Sequence, residues 1–311
     1  MKLILTSALC LAWAMSLASF DLMLIQEATP VGGLYRVHRV DPANGVSLGS
    51  FQTGPDSKGL AASQSRGEMY TMDVNGNLRT WDYSTGAMKS VRYVGTGLIQ
   101  DFIISNDQSK VYFVNGSNLV YSYDLTTNGT GTIINQAGTQ LTRLTQAGNG
   151  DIYACDIASG KLGRYNAASS YFLASTETYY GSTVDQMTYV SNVFPGYGAV
   201  YYGSDATAFG YNITAGGNFY AGTAYGFSVQ YANTADAVTQ SHNGAYLIGS
   251  DTSSSSNVRV AEIDRGGYIV RSNMLSGING VKKVAIVLAP EPGTVAAIGL
   301  GIAALLKRRR K

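Results

Sequence analysis

Only 14% of the 311 residues are charged, whereas 37 are Gly and 22 are Tyr; this composition leaves little for helices built on Glu, Lys and Leu and suits short strands joined by tight turns. The formal charge of +2 is unevenly placed. Setting aside Lys2, Lys307, Arg308, Arg309, Arg310 and Lys311, which lie in segments expected to be removed, leaves 16 basic against 20 acidic residues, about −4 for the body, which argues against nucleic acid as a partner because phosphate neutralisation needs clustered Lys and Arg.

Residues 1–18 read as a signal peptide. Lys2 supplies the positive start, Leu3 to Met15 form an apolar run, and Ser16 and Ala18 place small residues ahead of a cleavage after Ala18. The run is shorter than the ~20 residues needed to span a bilayer. Cys10 lies inside the signal and Cys155 is the single cysteine of the body, so the fold must hold without an internal disulfide.

The body repeats itself. A strand, a tight turn and a second strand ending in Asp or Asn recur, as in Met69–Asp82, Val111–Asp124, Ile152–Asn166 and Val200–Asn212. The closing residues Asp41, Asp82, Asp124, Asn166, Asn212 and Asp264 are spaced by 41, 42, 42, 46 and 52 residues. Asn75-Gly76 and Asn115-Gly116 sit where a two-residue hairpin turn with positive φ at both positions is expected. The closing Asp then offers its carboxylate to the amides of a second turn. A short apolar strand precedes each hairpin, at Leu60, Phe102, Leu144, Met187 and Val238.

Four antiparallel strands at a period of ~40–45 residues resemble the blades of a β-propeller. The expectation is an all-β fold, a six-bladed β-propeller spanning residues 19–288, with an N-terminal signal helix and a C-terminal hydrophobic helix. Phe20–Gln26, Leu34–Val40 and Val46–Phe51 give the first unit three strands, and the surplus strand Val284–Leu288 supplies its innermost fourth. Pairing of the two chain ends would close the ring and remove an open sheet edge.

Behind the body stand Pro290, Glu291 and Pro292, an apolar run from Thr294 to Leu306, and the basic cluster Lys307, Arg308, Arg309, Arg310 and Lys311. The prolines hold an extended backbone fit for a processing enzyme's cleft. The apolar run suits a membrane helix whose basic end stays on the cytoplasmic side. This three-part tail, residues 289–311, resembles the PEP-CTERM sorting signal. The resemblance implies export, a transient membrane contact through the tail, and cutting near the Pro-Glu-Pro by an exosortase-type enzyme, with a final place at the cell surface or outside the cell.

Catalytic chemistry is scarcely legible. His38 and His242 occupy different units with no metal-ligand spacing, no nucleophile elbow or phosphate loop occurs, and no cofactor is called for. Charged residues just before the innermost strands, namely Lys58, Asp101, Arg143, Asp185, Asp236 and Lys282, would gather around one mouth of a central tunnel and could bind an ion or a polar ligand. The connection Ser191–Ala199 carries Phe194 and Tyr197 as a second candidate contact surface. The reading is a non-enzymatic exported propeller that binds a polysaccharide or a protein; the alternative is a propeller hydrolase or lyase in which Asp101, Asp185 and Asp236 serve as acid-base groups or divalent-cation ligands.

Overall fold

The computed structural model describes residues 19–55, 57–178, 186–194, 197–204, 207–212, 218–220, 234–240, 244–250, 257–264 and 269–290, with side chains over 21–55, 57–176, 187, 257–262 and 270–287. The chain begins with β1 (Ser19–Glu27), β2 (Tyr35–Asp41) and β3 (Val46–Gly54). A second set comprises β4 (Ser57–Ser63), β5 (Glu68–Asp73), β6 (Asn77–Asp82) and β7 (Met88–Tyr93). The third comprises β8 (Asp101–Ile104), β9 (Lys110–Val114), β10 (Leu119–Asp124) and β11 (Thr130–Asn135); the fourth comprises β12 (Leu141–Gln146), β13 (Ile152–Asp156), β14 (Lys161–Asn166) and β15 (Phe172–Thr178). Then follow β16 (Gln186–Phe194), β17 (Tyr197–Ser204), β18 (Thr207–Asn212) and β19 (Asn218–Tyr220). The last are β20 (Thr234–Gln240), β21 (Gly244–Ser250), β22 (Asn257–Asp264), β23 (Ile269–Ser276) and β24 (Val281–Pro290).

These strands pair antiparallel in four-stranded sheets, five of them simple meanders and one ordered β24-β1-β2-β3. The arrangement is all-β and propeller-like. Four blades, the sheet that holds β24 and those of β4–β7, β8–β11 and β12–β15, are described through their side chains. That corrects the expected count of six to four at this level; the two sheets of β16–β23 are known chiefly by strand pairing. The expected signal helix and C-terminal hydrophobic helix lie outside the described residues, among which the 3-10 turn Ala167–Ser169 is the sole helical element.

The seam between the chain ends is a long antiparallel ladder. Leu24 lies opposite Ala285 and Phe20 opposite Ala289, and the pairing runs on to Ser19 opposite Pro290. The closing strand therefore extends slightly past the expected boundary at residue 288.

The core lies between neighbouring blades, which explains the burial pattern of the strands. Every position of β13 is buried, as are all but the first of β5 and β9, because a second strand is covered by a blade on each face. Outer strands such as β7 remain largely exposed. Tyr70, Met72 and Leu78 of the second blade pack with Phe102, Val111 and Phe113 of the third. Tyr112, Val114 and Val120 of the third blade pack with Leu141, Ile152 and Tyr165 of the fourth. Met23, Ile25 and Val284 of the seam pack with Val258, Val260 and Leu275 of β22 and β23.

The turns depart from the sequence expectation in one respect. Gly76 and Gly116 adopt positive φ, but Asn75 and Asn115 do not, so the turns are not of the primed two-residue type. At the first turn the cause is the preceding carboxylate: Asp73 Oδ1 accepts from the Asn75 amide at 3.0 Å and the Asn77 amide at 2.9 Å, wrapping a longer turn around itself; at the second, Asn115 Oδ1 accepts from the Ser117 amide at 3.3 Å. The second turns match expectation. Asp82 Oδ1 accepts from the Ser84 and Thr85 amides at 2.9 Å each, and Asp41 and Asp124 repeat the pattern.

Candidate functional site

The innermost strands β4, β8, β12, β16, β20 and β24 abut one another in turn, and β24 abuts β4. At their starting ends lies an open depression of about 370 Å³ lined by Ala28, Lys58, Gln100, Arg143, Val281, Lys282 and Lys283. The backbone explains how the cations reach it. In the β4–β5 ladder Ser57 and Gly59 face Asp73 and Met72, so Lys58 is the extra residue of a bulge. In the seam Val281 and Lys283 face Glu27 and Gln26, so Lys282 is bulged in the same way. A bulge bends the strand and re-aims the side chain it carries.

Two of these cations are held by neighbours. The Lys282 ammonium sits 3.9 Å from the centroid of the Tyr35 ring, a cation–π distance, and Arg143 Nη1 donates to the Thr142 carbonyl at 2.7 Å. Both side chains take up positions around the depression before any ligand arrives.

Asp101 is placed differently from the expectation. Its carboxylate is buried, with Oδ1 2.8 Å from Lys283 Nζ and Oδ2 accepting from the Leu144 amide at 3.3 Å. It lines a second cavity of about 200 Å³ further along the tunnel, with Leu60, Phe102, Leu144, Met187 and Ala285. Lys283 borders both cavities. Gly59 makes room for this packing, since a Cβ there would lie 2.7 Å from the Phe102 ring.

The structure thus brings Lys58, Arg143 and Lys282 to one mouth and turns Asp101 inward. For Lys58, Lys282 and Asp101 the physical reason is the period of two along a strand; Arg143, one residue before Leu144, lines the mouth although it shares the spacing of Asp101. Lys58 and Lys282 stand two residues before the apolar anchors Leu60 and Val284, whereas Asp101 stands one before Phe102. Strict alignment on the anchors would have found Gln100 as the equivalent of Lys58, and Lys283 as the equivalent of Asp101. Asp185 lies outside the described residues. Asp236 belongs to β20, but its side chain is not among those described.

Phe194 and Tyr197 were expected in an irregular connection. Instead they face each other as the last pair of the β16–β17 hairpin, which corrects the loop assignment. Pro195 and the tail residues from Glu291 onward, including Pro292 and the basic cluster, lie outside the described residues. Pro290 is the last residue of β24.

His38 is a buried core residue of β2, with Nε2 3.0 Å from Glu27 Oε1 but out of line for a good hydrogen bond. Burial pushes its imidazole below the ordinary value, outweighing the pull of Glu27 the other way. The Asn279 amide also donates to Glu27 Oε1, at 3.2 Å. Cys155 is buried on β13. Among the described residues no three His, Cys, Asp or Glu side chains gather closely enough to hold a metal ion, and no helix is long and apolar enough to cross a membrane.

Residues 288–311 match the PEP-CTERM protein-sorting motif. A crystal structure of a protein of unknown function from Bacteroides caccae superposes with a TM-score of 0.60 at 11% sequence identity, covering 86% of this chain and 98% of that one. At that identity the likeness concerns the fold alone. No curated protein matches the chain. The motif implies export, processing by exosortase and sorting to the surface. This chain carries a PEP-CTERM sorting motif behind a propeller-like body.

Proposed function

We propose that the protein is an exported, non-enzymatic β-propeller that binds an extracellular polysaccharide or protein at the mouth of its central tunnel. In this reading residues 1–18 are a signal peptide removed after Ala18, residues 19–288 form the wheel, and residues 289–311 are a sorting tail that holds the chain in the membrane until exosortase cuts it. The finished protein rests at the cell surface or in the matrix.

The observation that carries the binding reading is the depression of about 370 Å³ onto which Lys58, Arg143 and Lys282 converge from three different sheets. Its volume falls within the ~300–1,000 Å³ of small-molecule and sugar-sized sites. The closed wheel draws support from the cyclic order in which the innermost strands abut and from the sheet ordered β24-β1-β2-β3.

The enzyme alternative needed Asp101, Asp185 and Asp236 to act together. Asp101 is committed to Lys283 and the Leu144 amide, which weakens that reading.

An array of glycans and surface proteins, probed with full-length protein in mild detergent, tests the proposal. Retention on at least one class of surface molecule, without its turnover, is the expected result. Release of shortened products from any retained glycan would favour the hydrolase or lyase instead.

A further inference from the structure

Away from the mouth, we infer that a hollow on the outer half of the fourth blade binds a single neutral sugar ring, either free or at the end of a longer chain. The hollow encloses about 240 Å³ and is bordered by Thr139 before β12, Asp156 at the end of β13, Gly163 and Tyr165 of β14, and Leu173 and Thr176 of β15. The ladder explains the opening. Ile152 lies opposite Tyr165 and Ala154 opposite Gly163, and Leu173 and Thr176 continue the same two rows on β15, so these residues share the face that packs on the third blade. Gly163 contributes no side chain in the middle of that face, and Leu173 and Thr176 beyond it are exposed. The Tyr165 ring leans into the gap: a Cβ on Gly163 would lie 3.0 Å from the ring and 3.1 Å from its hydroxyl.

Tyr165 is the residue that points to a ligand. It is 2% exposed, yet among the described residues its hydroxyl has no hydrogen-bond partner. The buried Tyr70 and Tyr123, by contrast, donate to Glu68 at 2.5 Å and to Asn128 at 3.0 Å, as buried hydroxyls ordinarily do. Burial, with Asp156 nearby, pushes the Tyr165 phenol up to about 12, so it stays protonated and able to donate. Asp156 is fixed as an acceptor: Oδ1 takes the Gln140 amide at 2.8 Å and the Ala158 amide at 3.1 Å, and Oδ2 takes the Ser159 hydroxyl. These bonds outweigh burial and hold its carboxyl below the usual range. An unpartnered phenol and a fixed carboxylate suit the hydroxyls of a sugar, and Leu173 offers apolar contact to the ring's C–H face. Lys161 lies opposite Asp156 and also borders the hollow, bringing one charge of each sign to it, which suits a neutral ligand. The volume is below the ~300–1,000 Å³ of larger ligand sites, so it fits one ring rather than a run of them.

The test is saturation-transfer NMR on full-length protein in mild detergent, with the methyl glycosides of glucose, galactose and mannose as probes. Binding of at least one is expected, at about millimolar Kd for a ring held by a few hydrogen bonds. That is too weak for retention on an array, so the hollow and the mouth are tested separately. Tyr165→Phe is expected to weaken binding about fivefold or more while leaving the melting temperature unchanged, because the lost hydroxyl strands no partner in the protein. Thr176→Trp, which fills the hollow from its exposed wall, should abolish binding, and Lys89→Ala on the outer strand β7 should change nothing. Comparing the bound glycoside with its trisaccharide separates the two sources: binding of both supports a chain end as the ligand, and binding of the glycoside alone supports a free sugar.

No binding of any of the three glycosides would overturn the inference. So would binding that both Tyr165→Phe and Thr176→Trp leave unchanged, since the sugar would then sit elsewhere. A fall in melting temperature for Tyr165→Phe with undiminished binding would also overturn it, because the hydroxyl would then serve the fold.

Discussion

Lys283 Nζ stands 2.8 Å from Asp101 Oδ1 with both side chains buried, and that contact ties the last strand of the chain to the third blade. Removing one partner of such a pair leaves an uncompensated charge in the interior. Asp101→Ala is therefore expected to cost about 3–5 kcal/mol of stability. Replacing both residues, as Asp101→Leu with Lys283→Met, should cost much less, because no buried charge is stranded. Denaturant unfolding of the single and double variants measures the difference; an Asp101→Ala loss below about 1 kcal/mol would show that the pair is solvated.

The turn at Gly76 offers a sharper local test. Its φ is +82°, and a Cβ would lie 1.9 Å from the Thr96 carbonyl oxygen. Gly76→Ala should destabilise by about 1–3 kcal/mol from backbone strain alone, with the clash in addition. Gly67 also has positive φ but faces open space, so Gly67→Ala should cost clearly less. The two melting temperatures, compared side by side, check this.

Acid should act in two steps. Burial lowers the His38 pKa from its ordinary 6.5, so the unfolded chain takes up that proton first as pH falls. Stability from the neutral imidazole is present above about pH 6.5 and is lost as pH falls through and below that value. The turn carboxylates act lower down. Hydrogen bonds from Ser84, chiefly its hydroxyl, and from Thr85 hold Asp82 down at about 2; burial pushes Asp73 and Asp156 up, but their hydrogen-bond donors outweigh it and lower both, and the Thr127 and Thr126 amides lower Asp124. Their contribution is present above the usual carboxylate range and is lost as pH falls from about 4. Melting temperature against pH should show both declines, and His38→Gln should remove the upper one only.

Processing should respect the seam. Ser19 lies opposite Pro290, so the first residue after the expected signal cleavage pairs with the first residue of the Pro-Glu-Pro motif. Leu24 faces Ala285 in the middle of the same ladder, and cutting upstream of Val281 would strip the first blade of its innermost strand. The intact mass of the mature protein should therefore correspond to a chain that begins at Ser19 and retains residues 281–289. Leu24→Pro, which removes a ladder donor from a strand paired on both sides, should prevent accumulation of that form.

Much of this architecture was legible because repeats impose themselves on a sequence. The closing Asp or Asn of each hairpin, the apolar anchors Leu60, Phe102 and Leu144, and the surplus strand near Ala285 together gave the blades and the seam. The turn type at Asn75-Gly76 was misread because dipeptide preference ignores the carboxylate of Asp73 two residues earlier, which recruits the amides for itself. The mouth was half legible. Charges before each inner strand marked it, but a strand alternates its faces, and bulges at Lys58 and Lys282 break that alternation in a way that only pairing reveals. Lys283 went unnoticed for the same reason, and Phe194 and Tyr197 because the Pro-Gly pair between them signals a break in the sequence, whereas both residues belong to long strands.

The central claim is that ligand meets this protein at the mouth where the inner strands begin. The direct measurement is retention on a panel of glycans and surface proteins by full-length protein, wild type against Lys58→Glu with Lys282→Glu, at matched melting temperature. Whatever the wild type retains, the charge-reversed protein is expected to lose. Equal retention by the two would place the binding surface elsewhere and contradict it.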